Sequence, residues 1–86
     1  MPMNRSDIRR DVLDALLAIA PEVDAQALED TRLLRDQVDL DSMDWLNVLL
    51  GLHRRFGIEI PETDYARLAT LQQIVDYVAQ RTSASP

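Results

Sequence analysis

Residues 41–57 read DSMDWLNVLLGLHRRFG, and no other stretch limits the fold as tightly. Asp41 and Ser42 are both suited to cap a helix, and Asp44 suits the positive field of its first turn. Arg54 and Arg55 suit the negative carboxyl end, and Gly57 offers a left-handed stop. These signals predict a helix from Asp41 or Ser42 to Phe56. At about 100° per residue, Trp45, Val48, Leu49, Leu52 and Phe56 share one stripe, the width a core-facing helix needs. Ser42, Leu46, Leu50 and His53 form a second stripe, with Met43 at its edge. A helix apolar on two sides is either deeply buried or meets a partner. Leu46 and Leu50 therefore lie beneath the loop that precedes the helix or on a docking surface, and the sequence leaves both open. Trp45 is a core or rim residue, or sits at the mouth of an internal cavity.

The remaining chain supplies the elements against which this helix packs. From Asp7 to Ala20, apolar residues at Ile8, Val12, Ala15, Leu16 and Ile19 mark one helical face, capped by Asn4 or Ser6 and ended by Pro21. Residues 21–40 hold Val23, Leu28, Leu33, Leu34, Val38 and Leu40 without a sustained period, so a long loop is expected, with a short helical turn near 25–29. After "IEIP", the segment "ETDYARLA" has room for one short helix, and Thr70 with Gln73 forms a capping box opening the last helix. That helix buries Leu71, Ile74, Val75 and Val78, and residues 82–86 are expected to fray. The expectation is an all-α, small four-helix bundle, with three longer helices, one short helix and a long first loop. Two glycines and 47% hydrophobic content agree with a helix-rich fold, and 86 residues make a single domain over 1–86.

Charge and composition narrow the function. Nine arginines, no lysine and fifteen acids give a net charge of −6 without a basic face, which argues against nucleic-acid partners. Eight of the acids lie between Glu22 and Asp44, with only Arg32 and Arg35 among them, so this region favours basic partners. The absence of cysteine excludes disulfides and any thiol chemistry by the chain's own side chains. The amino-terminal "MPMNRSDIRRD" shows neither a signal peptide nor a membrane anchor, so a cytoplasmic protein without a membrane span is expected. Small size and high net charge lean toward a monomer. Asp36, Asp39, Asp41 and Asp44 lack the glycine and terminal glutamate of an EF-hand, so no metal site is expected.

Ser42 has three readings. It is a structural cap, with Asp41 as the alternative. As a nucleophile it needs a base, yet the single histidine, His53, is eleven residues further on, roughly 16 Å along the helix. Without a base or a G-x-S-x-G turn, no catalytic residue is assigned and an enzyme is not expected. As a third possibility, Ser42 is a hydroxyl that another enzyme modifies.

Here "LDSMDWLNVLLGLHRRFGIEIP" closely resembles the acyl carrier proteins, and the likeness extends through "DTRLLRD" and "LATLQQIVDYV". The resemblance implies 4′-phosphopantetheine on Ser42, attached by a phosphopantetheinyl transferase, with acyl groups carried as thioesters. It matches Asp41 and Asp44 to acids that meet basic enzymes and Leu46 and Leu50 to apolar docking positions, and Met43, Asn47, His53 and Arg54 are expected to share that docking surface. It assigns an acyl cavity to Trp45, Leu49, Phe56, Ile60, Leu68, Val75 and Val78. Implied partners are acyl-transferring or chain-extending enzymes of lipid or secondary-metabolite synthesis. Fatty-acid members of the family usually continue this helix with glutamates, where the chain has Asn47, His53, Arg54 and Arg55, so a specialised carrier is expected. The peptidyl carriers share the fold, but "QVDLDS" lacks their glycine-rich lead. The competing class is an unmodified helical module that binds proteins through its second stripe.

Overall fold

The structure, a computed structural model, describes residues 4–83. In chain order it contains α1 (Arg5–Ile19), α2 (Leu34–Gln37), α3 (Ser42–Phe56) and α4 (Leu71–Ser83), with 3-10 segments at Ala25–Ala27 and Glu62–Arg67. The architecture is the all-α bundle expected, with three long helices.

Local chemistry sets the helix ends. Asn4, not Ser6, caps α1: its side-chain oxygen accepts from the Asp7 amide at 2.9 Å. Asp41, not Ser42, caps α3, accepting from the Asp44 amide at 2.8 Å. Gly57 ends α3 at φ 63°, the left-handed conformation that costs other residues a Cβ clash. The capping box of α4 is reciprocal: the Gln73 amide donates to Thr70 Oγ1 and the Thr70 amide to Gln73 Oε1, both at 3.1 Å.

Helix α1 packs against both α3 and α4. Ile8, Val12 and Leu16 meet Val48, Leu49 and Leu52 of α3 and Leu71, Ile74, Val75 and Val78 of α4 in one buried cluster. Gly51 faces α1, where an added Cβ would meet Ala15 Cβ at 3.8 Å, an ordinary van der Waals contact. Gly51→Ala should therefore stabilise the fold by about 0.5–1 kcal/mol through helix propensity. Gly57→Ala should destabilise it by about 1 kcal/mol through left-handed strain. Urea unfolding of the two variants measures both signs.

The first loop is bound to the bundle rather than free. Leu28, Leu34 and Val38 are buried, as residues expected to pin it. The Leu34 amide donates to the Ala69 carbonyl at 2.9 Å, the Gln72 amide donates to the Asp30 carbonyl at 3.0 Å, and Leu33 bridges to Thr70. Gln37 clasps the loop on itself, accepting from the Glu29 amide at 2.7 Å and donating to the Glu29 and Arg32 carbonyls. The short turn expected near 25–29 is the 3-10 segment at Ala25–Ala27. The helical turn α2 is a departure from the expected loop: four residues without a side-chain cap are held by these tertiary bonds, not by local propensity.

Arg9 ties this loop to α1 with two bonds to Asp30, at 3.1 and 2.8 Å. Those bonds hold the Asp30 carboxyl below its ordinary value of 3.8. A depressed folded-state value stabilises the fold above the ordinary value, and that contribution disappears as pH falls through the lower one. The pair is partly exposed, so the effect is small. Arg9→Gln should lower the urea midpoint at about pH 6, with the difference from the unsubstituted chain shrinking toward about pH 3.

The short helix expected in "ETDYARLA" is the 3-10 segment Glu62–Arg67. It is tied to α4 through Asp64, which accepts from the Tyr77 hydroxyl at 2.6 Å and from Arg81 at 3.0 Å. Arg81 also lies over the Tyr77 ring, 4.3 Å from its centroid. Burial pushes the Tyr77 phenol up, and its bond to Asp64 adds to the shift. Thr82 and Ser83 are the last residues of α4, where Thr82 Oγ1 donates to the Val78 carbonyl at 2.9 Å. Residues 84–86 of the expected frayed tail lie outside the described residues.

Candidate functional site

Ser42 is the first residue of α3 and is exposed. Because Asp41 provides the cap, the Ser42 hydroxyl makes no hydrogen bond among the described residues. His53 shares the helix but is engaged at its far end, where Nδ1 donates to the Ile58 carbonyl at 2.5 Å. The serine thus combines access with a histidine engaged elsewhere, which suits modification by an external catalyst.

Beside Ser42 opens a cleft of about 580 Å³. Leu33, Leu34 and Arg35 line it from one segment and Tyr65, Ala66, Leu68 and Ala69 from another. Leu40 and Trp45 line it as well. They occupy the positions before the cap and one turn into α3, the placement of a hydrophobic staple.

The second stripe of α3 is uncovered. Met43, Leu46 and Leu50 are 68%, 38% and 41% exposed, and they are the exposed large hydrophobics of the described residues. Exposure at this level speaks against the first loop covering Leu46 and Leu50. Asn47, His53 and Arg54 are also exposed. Around the serine, Asp36, Asp39, Asp41 and Asp44 have no ion-pair partner among the described residues. The helix surface is acidic where it begins and basic where it ends.

Among the positions assigned to an acyl cavity, Trp45 and Leu68 line the cleft. Phe56 and Ile60 are half-buried against the core, whereas Leu49, Val75 and Val78 lie within it. The structure adds Leu33, Leu34, Arg35, Leu40, Tyr65, Ala66 and Ala69 to the surroundings of Ser42. The scattered leucines of the first loop were the available signal for one lining segment, since apolar residues without a helical period still need a surface to cover.

Residues 11–78 match the PP-binding family, described as the phosphopantetheine attachment site. An acyl carrier protein of Campylobacter hominis is 31% identical over 72 residues, covering 80% of this chain and 82% of that protein. The chain belongs to the acyl carrier protein family. This carrier is also 28% identical to the acyl carrier protein of Thermosynechococcus vestitus, over 95% of the chain and 100% of the relative. The acyl carrier protein of Rubrobacter xylanophilus is 27% identical over 88% of the chain and 98% of its own length. Proteins of this family are carriers rather than catalysts, typically in fatty-acid and other lipid synthesis, and their prosthetic group is 4′-phosphopantetheine. The residues present fit that group: an exposed, uncommitted hydroxyl stands at the edge of a mostly apolar cleft. Among the described residues no helix is long and apolar enough to cross a membrane.

Proposed function

We propose that Ser42 is the attachment point and that the carrier presents an acyl group to partner enzymes of lipid or secondary-metabolite synthesis. The observation that supports this most directly is the exposed Ser42 hydroxyl, released from capping by Asp41. During attachment, Ser42 Oγ loses its proton to a base of the transferase and bonds to phosphorus. The pyrophosphate bond of coenzyme A breaks, releasing adenosine bisphosphate. The attached group supplies the thiol that this cysteine-free chain lacks, on which acyl groups are held as thioesters.

The chain's own residues then perform three tasks. Tethering through Ser42 raises the local concentration of the acyl group at a docked enzyme. Trp45 and Leu68, with the other apolar cleft residues, offer shelter from water. Met43, Leu46 and Leu50 form an apolar contact, with Asn47 and His53 beside it, and Asp41 and Asp44 steer basic enzymes toward the serine. Arg54 and Arg55, exposed and without ion-pair partners among the described residues, disfavour enzymes whose basic patch extends along the whole helix. On this reading the protein acts as a cytoplasmic monomer, meeting first a phosphopantetheinyl transferase and then acyl-transferring or chain-extending enzymes.

Coexpression with a broad-specificity transferase, followed by intact-mass measurement, tests the reading. Addition of one phosphopantetheine supports the carrier. Persistent absence of modification with several transferases would leave the uncovered stripe as the surface of an unmodified interaction module.

A further inference from the structure

The cleft beside Ser42 is mostly apolar; its charged lining residues are Arg35 and Asp41, and Arg35 has no ion-pair partner among the described residues. Six of the nine arginines are held in ion pairs: Arg5, Arg9, Arg10, Arg32, Arg67 and Arg81. Arg35, Arg54 and Arg55 are not, among the described residues, and of these three Arg35 shares the cleft with Ser42. The carboxylates of Asp36 and Asp39 lie within four residues of it in sequence, yet neither pairs with it. An exposed guanidinium that shares a cleft with an exposed hydroxyl, in a region otherwise dominated by acids, suits an anionic oxygen acceptor.

We propose that Arg35 binds the phosphodiester formed on Ser42 and so anchors the base of the prosthetic arm at the mouth of the cleft. This inference rests on the attachment reading above. Joining phosphopantetheine to Ser42 replaces a neutral hydroxyl with a monoanion close to Asp41 and Asp44. Two like charges repel, and a countercharge in the same cleft reverses the sign of the change. Arginine suits the role because its planar donors match phosphate oxygens in pairs, whereas lysine offers only a point charge. Fixing the first atoms of the arm directs its remainder past Trp45 and Tyr65, which line the same cleft, and limits the volume it searches. Arg35 is thus a positioning residue for the arm and contributes nothing to attachment chemistry.

Melting of the unmodified and modified forms, each verified by intact mass, tests the assignment. Attachment should raise the melting temperature of the unsubstituted chain by about 3 °C at low salt, and less at high salt. In Arg35→Gln the rise should vanish or become a fall, and Arg35→Lys should keep part of it. The Arg35 Nε–H resonance should shift on attachment. Circular dichroism of the unmodified variants confirms that the fold survives. A rise in Arg35→Gln equal to that of the unsubstituted chain, or an unmoved Arg35 resonance, would overturn the assignment. So would a rise seen only when a succinyl group, but not a butyryl group, is loaded, because the guanidinium would then be serving the cargo's carboxylate. A mass gain without the shift defeats this inference alone, whereas failure to gain mass defeats the attachment reading and this inference together.

Discussion

Ser42→Ala is expected to abolish phosphopantetheine attachment completely while leaving the melting temperature within about 2 °C of the unsubstituted chain. The separation follows from the division of labour at the start of α3. Asp41 accepts the hydrogen bond from the Asp44 amide, so the serine hydroxyl contributes nothing to the cap. Alanine is also at least as good a helix former as serine at the first helical position. Asp41→Ala should show the opposite balance: loss of the cap costs about 1 kcal/mol, or roughly 4–8 °C for a domain of this size. It should still be modified, more slowly if, as proposed, the Asp41 carboxylate steers a basic transferase. Intact mass over time and thermal melting report both pairs of outcomes. Attachment in Ser42→Ala would place the arm elsewhere and sink the proposed site.

The second large effect contrasts two leucines two residues apart on the same helix. Leu52 is fully buried between α3 and the rest of the core, whereas Leu50 is 41% exposed. Truncating Leu52 to alanine removes buried methyl groups and leaves a cavity that close-packed neighbours fill only in part. The expected cost is about 2–5 kcal/mol, enough to lower the melting temperature by at least 10 °C. Leu50→Ala removes little buried surface and should cost under about 1 kcal/mol. Its consequence lies in exchange with a partner: transfer of the arm to Leu50→Ala should slow several-fold while the fold is intact. Equal destabilisation by the two substitutions would mean that Leu50 is covered in solution and would remove the docking stripe from the proposal.

Much of this architecture was legible because its controls are local. The Thr70–Gln73 box, the Asp41 cap and the Gly57 stop each depend on residues within four positions of one another. Their hydrogen-bonding chemistry can be read without knowing the fold. The two stripes of α3 were equally visible, but their fate was not. Whether the first loop covered Leu46 and Leu50 depended on where Leu28, Leu34 and Val38 found their own burial, and they found it elsewhere. The helical turn Leu34–Gln37 escaped detection for a related reason. It has no side-chain cap, and the bonds that secure it come from Ala69 and from the Gln37 clasp. The surroundings of Ser42 were the least accessible part, because Arg35 and Tyr65 meet there from segments thirty residues apart. No periodicity within either segment announces that meeting.

The bond from the Leu34 amide to the Ala69 carbonyl joins two segments that line the cleft. On the proposed function, a long alkyl tail entering the cleft would have to part these segments, and this link would be among the first to go. Exchange of that one proton for deuterium would therefore act as a clock for breathing of the cargo entrance, separate from unravelling of the molecule as a whole.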